Sequence, residues 1–436
     1  MDSTIYQYPY DAFRTLIPLP HERIPITKSH WPYAILPFVP FTLMAYLARR
    51  PDTYTLRLLL LPVVLTLVIG TAFRFMWVEP ELNVYNWGQG LLAEAISTKA
   101  IDYAWRKEGM LKVGERRPGL PEHPSKKHNT PAANGLHNAS PPPHSVIPSW
   151  FRDAFELMFS MRGLGWKYGA GVHVPKEHRP LGRSAFLRST FIAFLKSFLI
   201  FDFLESLVKL VPNVGTPQGG SIFFESLPLP QRFVVSTAIH VCTGCCILAG
   251  FEMIYDLVTL FSVIALGSPT SSWPPIMDHP WQSDSLHIFW AKRWHQVLRE
   301  TFFVLGGHPG RLIAGNPGVI LGTFIGSGLY HECAAYAMGL GFDSRVPLFF
   351  AIQAPLLIVE RAWRKTTGHR VGGIYGRLWV YFCIIVLGQP LVDSWHTRGL
   401  GGGLIVPPFL SPARRLVLPF LQHLAQDIGV ESFISL

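Results

Sequence analysis

Charge is what this sequence has least of. Only 15% of its 436 residues are charged, against 49% hydrophobic, where a soluble domain carries about 25% charged residues. With a mean hydropathy of +0.26, that shortage excludes an ordinary soluble enzyme and points to a chain whose solvent is largely lipid. Cysteine is scarce as well. The five present cannot form a disulfide framework: Cys242, Cys245 and Cys246 share one apolar run, and Cys333 and Cys383 lie in two others. The Cys-x-x-Cys-Cys spacing lacks the second ligand pair of a zinc site. These thiols read as small packing residues, and no metal is expected. Internal repeats are absent too, as are inverted pairs of glycine- or proline-broken helices, which argues against a secondary transporter. The net charge of +10 would suggest nucleic acid as a partner in a soluble chain. Here the basic residues cluster between apolar runs, so membrane topology accounts for them and no nucleic acid is expected.

Apolar runs are what the chain does have. They fall at about 31–48, 56–77, 185–211, 233–267, 311–338, 346–360 and 374–396, with a weaker one at 84–105 and an amphipathic one at 404–424. One span needs about 20 residues, so the expected fold is an all-α polytopic membrane protein of roughly eight to ten transmembrane helices. The 233–267 run is too long for one straight span, so it tilts or leaves the bilayer. Residues 1–30 mix Pro, Tyr, His and both charge signs and do not read as a cleavable signal; the run from Trp31 is expected to be an uncleaved first span.

Loop charge gives an orientation. With 84–105 counted as a span, alternate loops are basic: Arg49, Arg50 and Arg57 in the first, the cluster from Arg106 to Lys127 in the third, Lys292, Arg293 and Arg299 in the fifth, and Arg361 to Arg377 in the seventh. The positive-inside rule then places these loops in the cytosol and residues 1–30 on the lumenal side. The chain divides into that lumenal segment, three spans over 31–105, a basic cytosolic loop over 106–183, a membrane core over 184–424 and a tail over 425–436. Within the loop, 118–148 is rich in Pro, Asn, His and Ser and has no hydrophobic period, so it reads as a disordered linker. Asn138-Ala139-Ser140 matches a glycosylation sequon, but on the cytosolic side it reads as a chance match.

Two segments could carry chemistry. In 283–305, Ser283-Asp284-Ser285 offer N-caps, and as a helix the segment puts Lys292, His295, Gln296 and Arg299 on one face. Such a helix lies in the interface, its basic face gripping lipid headgroups or meeting the phosphates of a nucleotide-bearing donor such as coenzyme A. In 311–338, Gly318, Gly322 and Gly326 recur every four residues and form a close-packing face, while Thr323, Ser327 and His331 recur on another. An ionisable group at membrane depth is costly and marks a functional candidate, so His331 reads either as the polar lining of a buried tunnel or as a hydrogen-bonded packing residue. Glu332, rotated about 100° from it, reads as a structural partner for a neighbouring helix or a residue at the edge of the site. His240, with no polar companions at helical spacing, reads as packing. Asp202, Glu205, Glu252, Asp256, Glu360 and Asp393 read as structural, paired with Lys196, Lys209 or Arg361.

The pair Phe289-Trp290-x-x-Arg293-Trp294-His295 and Ser327-Gly328-Leu329-Tyr330-His331-Glu332 resembles the wax-synthase branch of the membrane-bound O-acyltransferases, with hydropathy and loop charge agreeing from about 31 to 396. The resemblance implies an acyl-CoA:alcohol O-acyltransferase of the endoplasmic reticulum, with acyl-CoA as co-substrate and no bound cofactor. His331 matches the family's invariant histidine. His295 matches a position that holds Asn in the better known sterol and diacylglycerol enzymes. Fungal relatives of this size transfer acetyl groups to terpenoid or meroterpenoid hydroxyls, which makes acetyl-CoA the expected donor. Esterification needs a base for the alcohol proton, which suits His331, and His295 would polarise the thioester carbonyl or orient the donor. Lys292, Arg293 and Arg299 would meet CoA phosphates, with Trp290, Trp294, Thr323, Ser327 and Glu332 about the substrate. The alternatives are a long-chain wax ester synthase, a transporter with His331 on a solute path, and a silent scaffold.

Overall fold

The computed structural model describes residues 4–122, 147–148 and 150–420. Most of the expected linker, its Asn138 sequon and the expected tail at 425–436 lie outside the described residues. Helix dominates. The strands are two- and three-residue pairs: Ile24–Pro25 parallel to Phe75–Met76, and Glu115–Arg117 antiparallel to Leu120–Pro121. The second pair takes in the first residues assigned to the linker.

Among the described residues, six helical segments are long and apolar enough to cross a membrane: Lys28–Ala48, Tyr54–Arg74, Leu229–Ala265, Arg299–Tyr336, Arg345–Thr367 and Gly373–Thr397. The chain is therefore an all-α polytopic membrane protein, with fewer such segments than the eight to ten expected. The difference lies in the runs at 84–105 and 185–211. Both are long helices, Asn83–Trp105 and Arg183–Lys209, but each buries polar residues: Asn86, Ser97, Thr98 and Asp102 in the first, Asp202, Glu205 and Ser206 in the second. The buried carboxylates are structural: Glu205 pairs with Lys209 at 3.4 Å, as expected, and most of the other partners are new. Asp202 accepts from the Ala413 N–H at 2.8 Å, Glu205 binds Arg414 at 2.7 Å, Asp256 lies 3.6 Å from Arg179, and Asp393 binds Arg345 at 2.5 Å.

Six helices build the candidate site: α1 (Asn83–Trp105), α2 (Leu229–Ala265), α3 (residues 286–293), α4 (residues 299–313), α5 (residues 316–336) and α6 (Arg345–Thr367). The run at 311–338, expected as one span, is in fact the tip and second arm of a hairpin. Ala314 (φ −138°, ψ 23°) and Gly315 (φ 58°, ψ −139°) leave the helical region. Glycine takes the second conformation at low cost, and Pro317 suits the first turn of the new helix. The arms then run back to back, Gly306 against Gly322 and Gly310 against Gly318, where a methyl on any of the four would strike the opposing carbonyl oxygen. The glycine face does serve close packing, as expected, and its partner is the preceding arm. The outer side of α5 is equally tight: a Cβ on Gly90 of α1 would lie 2.8 Å from the Ala334 Cα, and one on Gly328 would lie 2.6 Å from the Pro347 Cα.

The described part of the basic segment folds onto the helix ends. Arg49, buried, binds Glu115 in bidentate fashion at 2.7 and 2.8 Å and Asp153 at 3.0 Å, with its guanidinium over the Trp166 ring. Burial alone would raise the Glu115 carboxyl. The Arg49 guanidinium and the N–H groups of Lys112 and Gly119 outweigh burial and hold it below the ordinary carboxylate value. A depressed carboxyl contributes stability above its unfolded pKa, about 4.3 for Glu, and loses it as pH falls through the folded value. Glu115→Gln is therefore expected to lower the thermal transition in detergent at pH 7, with the gap to the unmodified protein closing as pH falls below about 4.

Candidate functional site

The segment 283–305 is not one surface helix. Ser285 caps as expected, its Oγ accepting from the Ile288 N–H at 3.1 Å, and α3 follows, widened to a π-turn over Phe289–Arg293. At Trp294 the backbone becomes extended (φ −71°, ψ 150°), and 295–298 form a turn before α4 begins. The expected shared face of Lys292, His295, Gln296 and Arg299 is therefore broken. His295 sits on the turn, buried, its ring stacked at 4.4 Å on Phe251, well inside α2.

The contacts of α3 show that it points inward. Its first N–H groups meet Glu360, near the charged end of α6, while four residues on the Trp290 Nε1 donates to Gln353 Oε1 at 3.2 Å. Gln353 is seven residues from Glu360, about 10 Å along the helix. The chain thus enters the bundle on α3, turns at 294–298 and leaves on α4. Irregular backbone at such depth is tolerated only where protein or a cavity covers it, and here the Gln296 side chain does so, donating to the Trp290 and Trp294 carbonyls at 2.9 Å each.

His331 faces this turn from α5. Its ring stacks on Phe350 of α6 at 4.5 Å and lies 6.0 Å from Phe302 of α4. Phe350 leads on to Trp290 at 6.4 Å, Trp290 to Trp294 at 6.3 Å and Trp294 to His295 at 5.1 Å. An aromatic wall of Phe350, Trp290 and Trp294 joins the two imidazoles. The His331 Nδ1 lies 2.7 Å from the Ser327 carbonyl. A carbonyl only accepts, so Nδ1 carries the proton and Nε2 holds the free lone pair. Nε2 has no hydrogen-bond partner among the described residues and is not occluded, and the ring as a whole is half-buried.

The other expected residues divide. Trp290 and Trp294 line the wall, and Ser327 contributes its carbonyl. Thr323 turns its hydroxyl back to the Val319 carbonyl at 2.7 Å, against the Gly307 arm, so the polar stripe on α5 narrows to Ser327 and His331. Arg293 is taken up by the Asp278 and His279 carbonyls at 2.9 and 3.2 Å. Lys292 is exposed and Arg299 part-exposed, and neither forms an ion pair among the described residues. Glu332 is fully buried, paired with Arg398 at 2.8 and 3.1 Å and accepting from the Asp343 N–H at 2.6 Å; these bonds go to the loop before α6 and to the residue that ends the helix Gln389–Thr397. A small pocket between α1 and α4 is lined by Thr98, Lys99, Asp102, Tyr168, Glu300 and Thr301, not by the histidines. Phe251, Phe302, Phe350 and Gln353 were not singled out in the sequence. Only Gln353, an amide within the apolar run at 346–360, carried a signal there. Among the described residues, no group of three or more His, Cys, Asp or Glu could hold a metal ion.

Residues 273–352, which hold the entering helix, the turn, the hairpin and both histidines, match the membrane bound O-acyl transferase family. The chain is similar to the acetyltransferase aurG of Calcarisporium arbuscula, 33% identical over 27% of this chain and 31% of the relative. It is similar to the acetyltransferase atnC of Arthrinium sp, 25% identical over 58% of this chain and 64% of the relative. It is also 33% identical to acyl-CoA–sterol O-acyltransferase 1 of Arabidopsis thaliana, over 22% of this chain and 30% of the relative. The alignments thus span from under a third to just under two thirds of these relatives' lengths. The segment that builds the site is thus similar to the membrane bound O-acyl transferase family, and the chain is similar to fungal acetyltransferases.

Proposed function

We propose that the protein transfers an acyl group, acetyl above all, from acyl-CoA to a hydroxyl of a hydrophobic alcohol of terpenoid or meroterpenoid type. Its setting is the endoplasmic reticulum membrane, with the basic loops in the cytosol. The observation that carries this reading is the fixed tautomer of His331: with Nδ1 donating to the Ser327 carbonyl at 2.7 Å, the Nε2 lone pair is left free on a ring joined to His295 by an aromatic wall. The relatives' names as acetyltransferases and as an acyl-CoA–sterol acyltransferase support the donor and acceptor classes.

In this mechanism Nε2 of His331 accepts the hydroxyl proton as the alcohol oxygen attacks the thioester carbonyl. The C–O bond forms, the C–S bond breaks, and the proton passes from His331 to the departing CoA sulfur, restoring the neutral imidazole. His295, through its ring N–H, donates to the carbonyl oxygen as charge builds there. Lys292 and Arg299, which have no ion-pair partner among the described residues, meet the CoA phosphates, while Arg293 keeps the turn in place. Burial of His295 against the Phe251 and Trp294 rings limits the access of competing water to the thioester from that side.

Purified protein in detergent, given labelled acetyl-CoA and a panel of apolar alcohols, is expected to form acetyl esters and release one CoA thiol per ester. Ester formation from palmitoyl-CoA and fatty alcohols alone would make it a wax ester synthase. Solute flux across vesicles with no dependence on acyl-CoA would overturn the reading.

A further inference from the structure

The helix that carries the chain down to His295 is only eight residues long, too short to hold itself in place. What holds it comes from elsewhere, and each helix end has its own device. Four N–H groups at a helix N-terminus lack intrahelical partners. In α3 the first two, from Leu286 and His287, donate to Oε1 and Oε2 of Glu360 at 2.6 and 3.0 Å; the third, from Ile288, donates to the Ser285 Oγ. Glu360 is buried and takes a third bond from the Trp379 indole N–H at 3.0 Å. At the other end the amide of Gln296, also buried, donates to the carbonyls of Trp290 and Trp294. His295 lies directly between the second of those carbonyls and Gln296.

From this geometry we infer that Glu360 and Gln296 are positioning residues, a two-ended clamp that sets the depth and direction of α3 and thereby aims His295 at the reacting carbonyl. Glu360 reaches neither imidazole: its three hydrogen bonds go to α3 and to Trp379. Its effect on the reaction passes through α3. This inference rests on the acyl-transfer reading above and on the role given there to His295. It also explains why a carboxylate in α6 beside exposed arginines pairs with none of them: its oxygens already accept three N–H groups.

The test is a double-mutant cycle on purified protein with acetyl-CoA. Glu360→Gln keeps the size and one acceptor oxygen but turns an NH2 group towards a backbone N–H. A 1 Å misplacement costs about 10²-fold in rate, so a partial slip is expected to lower kcat about tenfold with KM for acetyl-CoA little changed. Gln296→Met, which removes the other end of the clamp without adding charge, is expected to do the same. In a His295→Ala background neither substitution should cost anything further. Hydrogen exchange of the 286–298 segment should rise in both single variants while that of α6 does not. Equal fold-losses with and without His295, or unchanged exchange at 286–298, would overturn the clamp. A His295→Ala protein as active as the unmodified one would instead overturn the role of His295 itself, a result distinct from additivity.

Discussion

His331→Ala is expected to lower acyl transfer by about 10²–10⁴-fold, the usual contribution of a positioned general base, and to leave the protein folded. The two parts of this expectation come from different contacts. Among the described residues His331 makes a single side-chain hydrogen bond, to a carbonyl one turn back in its own helix, and that helix is held by its glycine contacts on one side and by α1 and α6 on the others. Losing the ring removes a stack on Phe350 but leaves no buried charge behind. The loss should appear in kcat, with KM for acyl-CoA largely kept, because the base acts on the alcohol proton in the transition state and not on the bound donor. His331→Gln separates basicity from hydrogen bonding. A glutamine can fill much of the space and still donate, but its amide takes no proton near neutral pH, so it should be as inactive as alanine. The check is turnover per folded molecule, measured on material that elutes as one species, across the three proteins. A glutamine variant with most of its activity would mean that His331 orients a group and does not accept its proton.

How much of this site could be read from the sequence depends on which forces set each part. The Ser285 cap and the glycine face of α5 are local patterns, and the structure uses both as their patterns suggest, as it does most of the apolar runs. The hairpin turn was also written locally: Gly315-Asn316-Pro317 is a helix stop followed by a helix start. It went unread because the residues on both sides are apolar and helical in period, so the run looked continuous. The break at Trp294 has no such mark. No glycine or proline lies between Leu286 and Phe303, and the helical period of apolar residues runs straight across it. There the chain turns because Gln296 bonds the carbonyls that a continuing helix would have used, and because Glu360, far along the sequence, fixes where the helix begins. Tertiary anchoring overrides propensity. For the same reason His295 appeared to belong to a surface helix when it lies deep in the bundle. Motif spacing found both histidines; it could not show that one rides on a turn and the other on a straight helix.

The hairpin should be the part of the fold least tolerant of an added methyl. Gly306→Ala would drive its Cβ into the Gly322 carbonyl oxygen, and Gly322→Ala would do the reverse. Overpacking a core commonly costs about 1–3 kcal/mol, where side chains can shift to share the strain. Here the obstacle on each side is backbone, and the arms are joined within a few residues at Gly315, so neither can withdraw without opening the hairpin. The expected cost exceeds that range, enough to reduce the yield of monodisperse protein sharply. A control lies in α2. Gly244 sits in an equally apolar helix but has nothing within 4 Å of where a Cβ would stand, so Gly244→Ala should be neutral or stabilising by about 0.5–1 kcal/mol, the helical advantage of alanine over glycine. Size-exclusion profiles and thermal transitions of the three variants in one detergent provide the comparison. Because α4 begins just after the turn that carries His295 and packs along the helix that carries His331, opening the hairpin separates the two imidazoles. Any Gly306→Ala protein that survives purification should therefore lose activity beyond its loss of folded material, whereas the loss with Gly244→Ala should be nil. If Gly306→Ala proved as stable as Gly244→Ala, the arms would not be in backbone contact, and the placement of the two histidines across one hairpin would fall with them.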